Sequence, residues 1–299
     1  MEAGMRTASV DGVLLLDKPS GPGSNAVLQH AKRLMGAERA GHTGTLDPLA
    51  SGLLVITFGE ATRFSGELLD ADKSYRARVR LGIRTSTGDA EGEVLERSER
   101  TVQREEVATA LERFAGEIEQ LPPMHSALKH RGRPLYDYAR KGQTVERRPR
   151  KVRIRELELV SFAGGEFELR VLCSKGTYIR TLAEDIGEAL GCGAHLAALR
   201  RTAIGPFSLD DAIGLDALGS SSQVGRLARV LPPEALLGLR PRLALSAPLT
   251  VKFRQGQAVA LGSPGGRVSV FGDDGGFLGS GEVDAAGVLR PRRLMASSR

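Results

Sequence analysis

The stretch from Arg39 to Gly52 reads Arg-Ala-Gly-His-Thr-Gly-Thr-Leu-Asp-Pro-Leu-Ala-Ser-Gly. It sets a histidine and a carboxylate five residues apart, His42 and Asp47, among three glycines and one proline. Such a segment must turn tightly, and loops anchored on a rigid strand commonly carry catalysis. A carboxylate that stays ionised acts as nucleophile or base without an activating partner. Taken alone, an Asp-Pro step is ordinary turn chemistry, with His42 packed locally. A second candidate lies upstream. Gly21-Pro22-Gly23-Ser24-Asn25-Ala26 fits Gly-x-Gly-x-x-Gly/Ala, and Asp47 follows about 26 residues after Gly21, as in a dinucleotide-binding turn. Pro22 has no N–H to offer a pyrophosphate. Asp47 does not end an apolar strand, as a ribose-binding acid should. A strand, a turn and a capped helix explain the same residues more simply.

The elements that must position these residues follow from periodicity. Val13-Leu14-Leu15-Leu16 is short enough for a buried strand. Ser24 is suited to cap a helix over residues 25–34, whose face carries Val27, Leu28, Ala31 and Leu34 and which Gly36 closes. A polar loop over 39–47 leads into a strand over 53–58, and residues 60–69 read as a helix. In residues 74–81, Tyr75, Ala77, Val79 and Leu81 alternate with Arg76, Arg78 and Arg80, which predicts a half-buried strand with a basic outer face. Residues 103–115 read as an amphipathic helix. Residues 152–160 and 167–173 alternate on either side of Gly164-Gly165, the pattern of an antiparallel pair. A further helix over 178–190 is closed by Gly191.

The 299 residues leave room for one large or two ordinary domains. Hydrophobic residues make up 41%, too many for a disordered chain. Two cysteines, Cys173 and Cys192, exclude a disulfide scaffold and a Cys-rich zinc module and suit a reducing, cytoplasmic setting. The five histidines show no paired metal-ligand spacing. No apolar run approaches the roughly 20 residues of a membrane span, and residues 1–10 carry no signal-type apolar core. The net charge of +6 favours an anionic partner. That excess is local. Residues 125–155 hold eleven Lys or Arg against Asp137 and Glu146, a net of +9, which leaves the rest of the chain slightly negative. This segment reads as an inserted, mobile basic loop. From about residue 240 the texture changes to short strands at 249–251, 258–261, 268–271 and 277–279, separated by Gly/Asp turns, a small β domain of roughly 60 residues.

The motifs together resemble those of the bacterial tRNA pseudouridine-55 synthases of the TruB type. Five match in order over about residues 10–218: Asp11 to Gly21, Gly41 to Gly52, Asp72-Lys-Ser-Tyr-Arg76, Cys173-Ser-Lys-Gly-Thr-Tyr-Ile-Arg-Thr-Leu182, and Gly191 to Arg201. Pro122 to Ala127 also matches at the base of the basic loop. The resemblance implies an α+β pseudouridine-synthase fold. A central mixed, mostly antiparallel sheet flanked by helices would fill residues 1–238, and a small PUA-like β-barrel residues 239–299. It implies isomerisation of uridine-55 in the T-loop of tRNA without cofactor or metal. The N-glycosidic bond breaks, the uracil turns and a carbon–carbon bond forms. The target must be flipped out of its stack to be reached.

In the family pattern Asp47 is the catalytic aspartate, Arg180 its ionic partner and Tyr75 the ring against the uracil. A guanidinium beside a carboxylate keeps it charged and oriented. Tyr178 and Leu199 would line the pocket, Lys18 and Pro19 would support it, and His42 would contact the opened T-loop. Lys129, Arg131, Arg133, Lys141, Arg147 and Arg148 would meet phosphates, and the tail would grip the acceptor arm. The protein is expected to act as a monomer. Two other readings remain open at this point, an oxidoreductase using residues 21–26 for a nucleotide cofactor, and an RNA-binding protein without catalysis.

Overall fold

The computed structural model describes residues 10–296. The expectation of no apolar signal core therefore falls mostly on residues outside the described ones. The fold is α+β, with one large mixed sheet and a smaller, curled five-stranded sheet at the C-terminal end. In the large sheet we label β1 (Gly12–Lys18), β2 (Ala40–His42), β3 (Ser51–Phe58), β4 (Lys73–Leu81), β5 (Gly116–Gln120), β6 (Arg150–Ala163), β7 (Glu166–Cys173), β8 (Ala194–Ile204), β9 (Phe207–Ser208) and β10 (Ile213–Gly214). Their order is β10-β1-β3-β8-β4-β7-β6-β5, with β2 against β3 and β9 against β8. Two pairings are parallel, β1 with β10 and β3 with β8, and the others are antiparallel. The helices that matter for the site are α1 (Ser24–Met35), α2 (Arg104–Leu111) and α3 (Ile179–Ala189).

Alternation explains why β1 and β3 are apolar throughout. Leu14 and Leu16 face α1 together with Leu54, Ile56 and Phe58. Val13, Leu15, Leu53 and Val55 face the other way, into a cluster with Phe64 and Ile204. Both faces are covered, so both sets of side chains are buried. In β4, Tyr75, Ala77, Val79 and Leu81 join α3 in a third cluster. The basic outer face expected of this strand is neutralised by its neighbour, because Glu168 pairs with Arg76 and Glu166 with Arg78 and Arg80.

Several boundaries differ from the sequence expectation. Ser24 is not the cap of α1. Gly23 occupies that place, and Ser24 is the first helical residue, its hydroxyl turned to Leu46. Residues 40–42 form β2 rather than loop, because β3 offers them a free edge. The helix at 59–68 is of the tighter 3-10 kind. Residues 150–155 belong to β6, and 150–154 pair with β5, so the basic insert ends in the sheet. Within the insert, Lys129–His130 pairs with Arg133–Pro134, and a short helix spans Leu135–Ala139.

The C-terminal sheet comprises β11 (Arg242–Ala244), β12 (Val259–Ala260), β13 (Arg267–Phe271), β14 (Phe277–Val283) and β15 (Val288–Leu294), in the order β11-β13-β14-β15-β12. The strand expected at 249–251 is instead part of α4 (Ala247–Arg254). Pro248 suits a first helical turn, and helical winding turns Phe253 into the core of this sheet. Phe277 and Met295 pack on the cluster around Phe64, and Arg240 pairs with Glu67 at 2.7 Å.

Candidate active site

Asp47 sits in the loop between β2 and β3, and neighbouring elements hold that loop from every side. Ser24 at the start of α1 both donates to the Leu46 carbonyl (2.7 Å) and accepts from the Leu46 N–H (2.8 Å). The Gly21 N–H donates to Pro48, and the Ser20 hydroxyl to Leu49, each at 2.8 Å. Lys18, fully buried at the end of β1, donates to the carbonyls of Ala50 (2.7 Å), Pro19 (2.8 Å) and Pro48 (3.4 Å). Two polar groups of the glycine-rich turn at 21–26, the Gly21 N–H and the Ser24 hydroxyl, are thus engaged by the Asp47 loop.

Arg180, in the first turn of α3, is 6% exposed and meets Asp47 at 3.0 Å. Its guanidinium also donates to the carbonyls of His125 (2.6 Å) and Thr87 (3.1 Å), and lies 3.6 Å from buried Asp89. Asp89 in turn accepts from the Thr87 hydroxyl and the Glu91 N–H. A carboxylate–guanidinium–carboxylate row therefore crosses the site, with the half-exposed Asp47 at its open end.

Asp47, Tyr75, Tyr178, Arg180 and Leu199 line one cavity of about 280 Å³, together with Lys73, His125 and Arg201. That volume lies just below the roughly 300–1,000 Å³ of small-molecule pockets, so it suits a single base better than a dinucleotide. Tyr75 reaches the cavity from β4, Leu199 from β8 beside it, and Tyr178 from the residue that caps α3. Gln120 of β5 fixes Tyr178 by bonds to its N–H (3.0 Å) and carbonyl (3.2 Å). Lys18, Pro19 and His42 do not line this cavity. Lys18 and Pro19 lie behind the loop, and His42 is in β2, opposite Ile56 of β3. A second cavity of similar size adjoins the first across the Asp47–Arg180 pair and adds Thr87, Asp89, Glu91, Tyr136 and Arg140. Arg140 lies over the Tyr136 ring there, 5.3 Å from its centre.

Burial dominates the proton equilibria. It pushes the Lys18 ammonium down to about 8, with Asp47 opposing the shift. It lowers His42 and Lys73, Arg201 adding to both shifts, and it raises the phenols of Tyr75 and Tyr178.

In the basic insert, Lys129, Arg131, Arg133, Lys141 and Arg148 are exposed. Arg147 is half-buried and donates to the Pro122 carbonyl at 2.9 Å, at the base of the insert. Lys151 and Arg155 pair with Glu117 and Asp72. Sequence reasoning missed Asp89, Lys73 and the part played by Arg201. No motif marks Asp89, whereas Arg201 ends a motif already noted and signals itself only by its burial.

Three family models match the chain in succession. They are TruB family pseudouridylate synthase (N terminal domain) over 32–179, tRNA pseudouridylate synthase B C-terminal domain over 180–237, and Pseudouridine synthase II TruB, C-terminal over 241–295. The tRNA pseudouridine synthase B of Burkholderia mallei (strain NCTC 10247) is 55% identical over 301 residues, covering 98% of this chain and 99% of its own. That of Dechloromonas aromatica (strain RCB) is 52% identical, covering 96% of each. Among solved structures, a chain of a Cbf5-Nop10-Gar1 complex superposes with a TM-score of 0.75 at 27% identity, covering 96% of this chain and 85% of that one. A chain of an H/ACA RNP bound to a substrate RNA containing 2'-deoxyuridine does so with a TM-score of 0.74 at 25% identity. The fold is that of a pseudouridylate synthase. Within that class, the chain belongs to the TruB family.

Among the described residues, no helix is long and apolar enough to cross a membrane. None of the described His, Cys, Asp and Glu gather in a group of three or more that could hold a metal ion.

Proposed function

We infer that the chain isomerises a uridine of tRNA to pseudouridine, uridine-55 of the T-loop, with Asp47 as the group that acts on the nucleotide. The observation that carries this reading is the Asp47 carboxylate, held 3.0 Å from a buried guanidinium at the mouth of a base-sized cavity that also contains Tyr75. The reaction cleaves the N-glycosidic bond, turns the uracil, joins its carbon 5 to the ribose and removes the proton from that carbon, while the N1 released from the ribose ends as N–H. Atoms are conserved and no electrons enter or leave, so no redox cofactor is required.

Arg180 orients Asp47 through their 3.0 Å ion pair. Tyr75 stacks on the uracil and stands beside the carbon 5 proton, while Tyr178 and Leu199 close the cavity. Lys18 and Pro19 fix the loop from behind, and His42 contacts the opened T-loop. A uridine inside a folded loop must be extruded before it enters. The exposed cations Lys129, Arg131, Arg133, Lys141 and Arg148, with Arg147 at the base, hold the phosphates around it. The C-terminal unit of residues 239–299, PUA-like in its strand texture, grips the acceptor arm. The catalytic unit is residues 1–238, and the protein works as a monomer in the cytoplasm.

The test is an unmodified tRNA transcript incubated with purified protein and no cofactor, followed by chemical mapping of pseudouridine. One new pseudouridine in the T-loop is expected. A product that appears only with added nicotinamide, or none at all, overturns the reading.

A further inference from the structure

Arg201 is 1% exposed, the bulkiest fully buried side chain of the described residues, and it is a cation. It stands on β8, with Tyr75 opposite on β4 and Gly52 opposite on β3. Its guanidinium donates to the carbonyls of Leu53 (2.8 Å), Gly44 (3.1 Å) and Thr45 (3.3 Å), and it lines the same cavity as Tyr75. No carboxylate is among these partners. Burying an unpaired charge is expensive, so a guanidinium kept in this position without a counter-ion calls for an explanation. Packing alone would be served by an apolar side chain of similar size. Gly52 shows how closely the region is fitted. Its φ is +102°, and a Cβ there would stand 2.3 Å from the Arg201 carbonyl oxygen.

We propose that Arg201 is a positioning residue for the isomerisation. From its place on β8 opposite Tyr75 of β4, one rigid guanidinium holds the Gly44 and Thr45 carbonyls of the Asp47 loop, and so fixes the separation of carboxylate and ring. The proposal rests on the reading that Asp47 and Tyr75 meet the nucleotide. The planar fork is what allows it, since its several donors leave in fixed directions, whereas an ammonium is a point charge on a flexible stem. Lys73, His125, Tyr178 and Arg180 share the cavity with Tyr75, and the titratable groups that act on its phenol are Arg201, Cys173 and Asp47. Of these only Arg201 favours the phenolate, and burial opposes it.

The experiment uses Arg201→Lys, which keeps a cation, and Arg201→Met, which removes it. Each is compared with wild type for the single-turnover rate of pseudouridine formation, for the tRNA dissociation constant and for thermal unfolding. The chain has four tyrosines and no tryptophan, so tyrosinate absorbance is readily followed against pH, and Tyr75→Phe identifies the Tyr75 step. An ångström of misplacement is worth about 10²-fold in rate. Both variants are therefore expected to lose at least about tenfold in rate with tRNA affinity unchanged, and Arg201→Met to move the Tyr75 step to higher pH. The proposal is overturned by rates close to wild type, by affinity falling in step with rate, by an unmoved Tyr75 step, or by loss of the folded form in both variants. Asp47→Asn and Tyr75→Phe are run alongside. If either isomerises at the wild-type rate, the reading of the site fails whatever Arg201 does, and the proposal falls with it.

Discussion

Replacing Arg180 by Met should separate stability from catalysis in a measurable way. The guanidinium is 6% exposed and serves four acceptors: Asp47 at 3.0 Å, Asp89 at 3.6 Å, and the carbonyls of His125 and Thr87. Asp47 is half-exposed and finds water when its partner goes. Asp89 is 3% exposed and cannot. Removing one partner of a buried pair costs about 3–5 kcal/mol. Asp89 keeps its bonds from the Thr87 hydroxyl and the Glu91 N–H, which places the expected loss near the lower end, about 3 kcal/mol. Adding Asp89→Asn removes the orphaned charge, so the double variant should recover most of that loss. Isomerisation should not return with it, because Asp47 remains without its guanidinium. Urea unfolding gives the first quantity and single-turnover pseudouridine formation the second. A double variant as unstable as Arg180→Met refutes the account of Asp89. A double variant with activity restored refutes the role given to Arg180.

Three further outcomes follow from the same geometry. Burial holds the Lys18 ammonium at about 8 against an ordinary 10.5, so the folded form sheds its proton first as pH rises. The cost of burying the charge is complete below pH 8 and fades between 8 and 10.5. Wild type should therefore gain stability relative to Lys18→Met between urea unfolding at pH 7.5 and at pH 10 (both roughly chosen to bracket that window), and a constant difference contradicts the assignment. Gly52→Ala combines a positive φ with a Cβ 2.3 Å from the Arg201 carbonyl, and β3 and β8 must part to accommodate it. It should lose more than about 2 kcal/mol in urea unfolding, and a loss under 1 would show that the strands yield easily. Neutralising Arg131, Arg133 and Lys141 together should flatten the dependence of log tRNA affinity on log salt by roughly 2–3, with the single-turnover rate at saturating enzyme little changed.

The site was legible where function constrains sequence locally. Asp47, Tyr75, Tyr178, Arg180 and Leu199 fall in short ordered motifs, and folding brings all five to one cavity. The strands β1, β3, β4, β6 and β7 were legible because period-two alternation or an unbroken apolar run marks a pleated, buried surface. What escaped depends on non-local partners. β2 exists because β3 has an edge to offer, and β15 is disguised by Pro291 and three arginines. Residues 249–251 look like a strand in isolation but wind into α4 to bury Phe253. Arg201 was hidden because β8 shifts register twice against β4, which breaks the alternation that would have shown it pointing inward. Asp89 carries no local signature at all, since its importance comes from Arg180, more than ninety residues downstream in the chain order and adjacent only in space.

Whether the Asp47 carboxylate acts on the nucleotide is decided by Asp47→Asn. The substitution keeps size and removes the charge that Arg180 holds. With unmodified tRNA transcript and excess enzyme, the variant is expected to form no pseudouridine on the time scale in which wild type reaches completion, while transcript affinity persists. Pseudouridine formed by Asp47→Asn at the wild-type rate would contradict that role of the carboxylate.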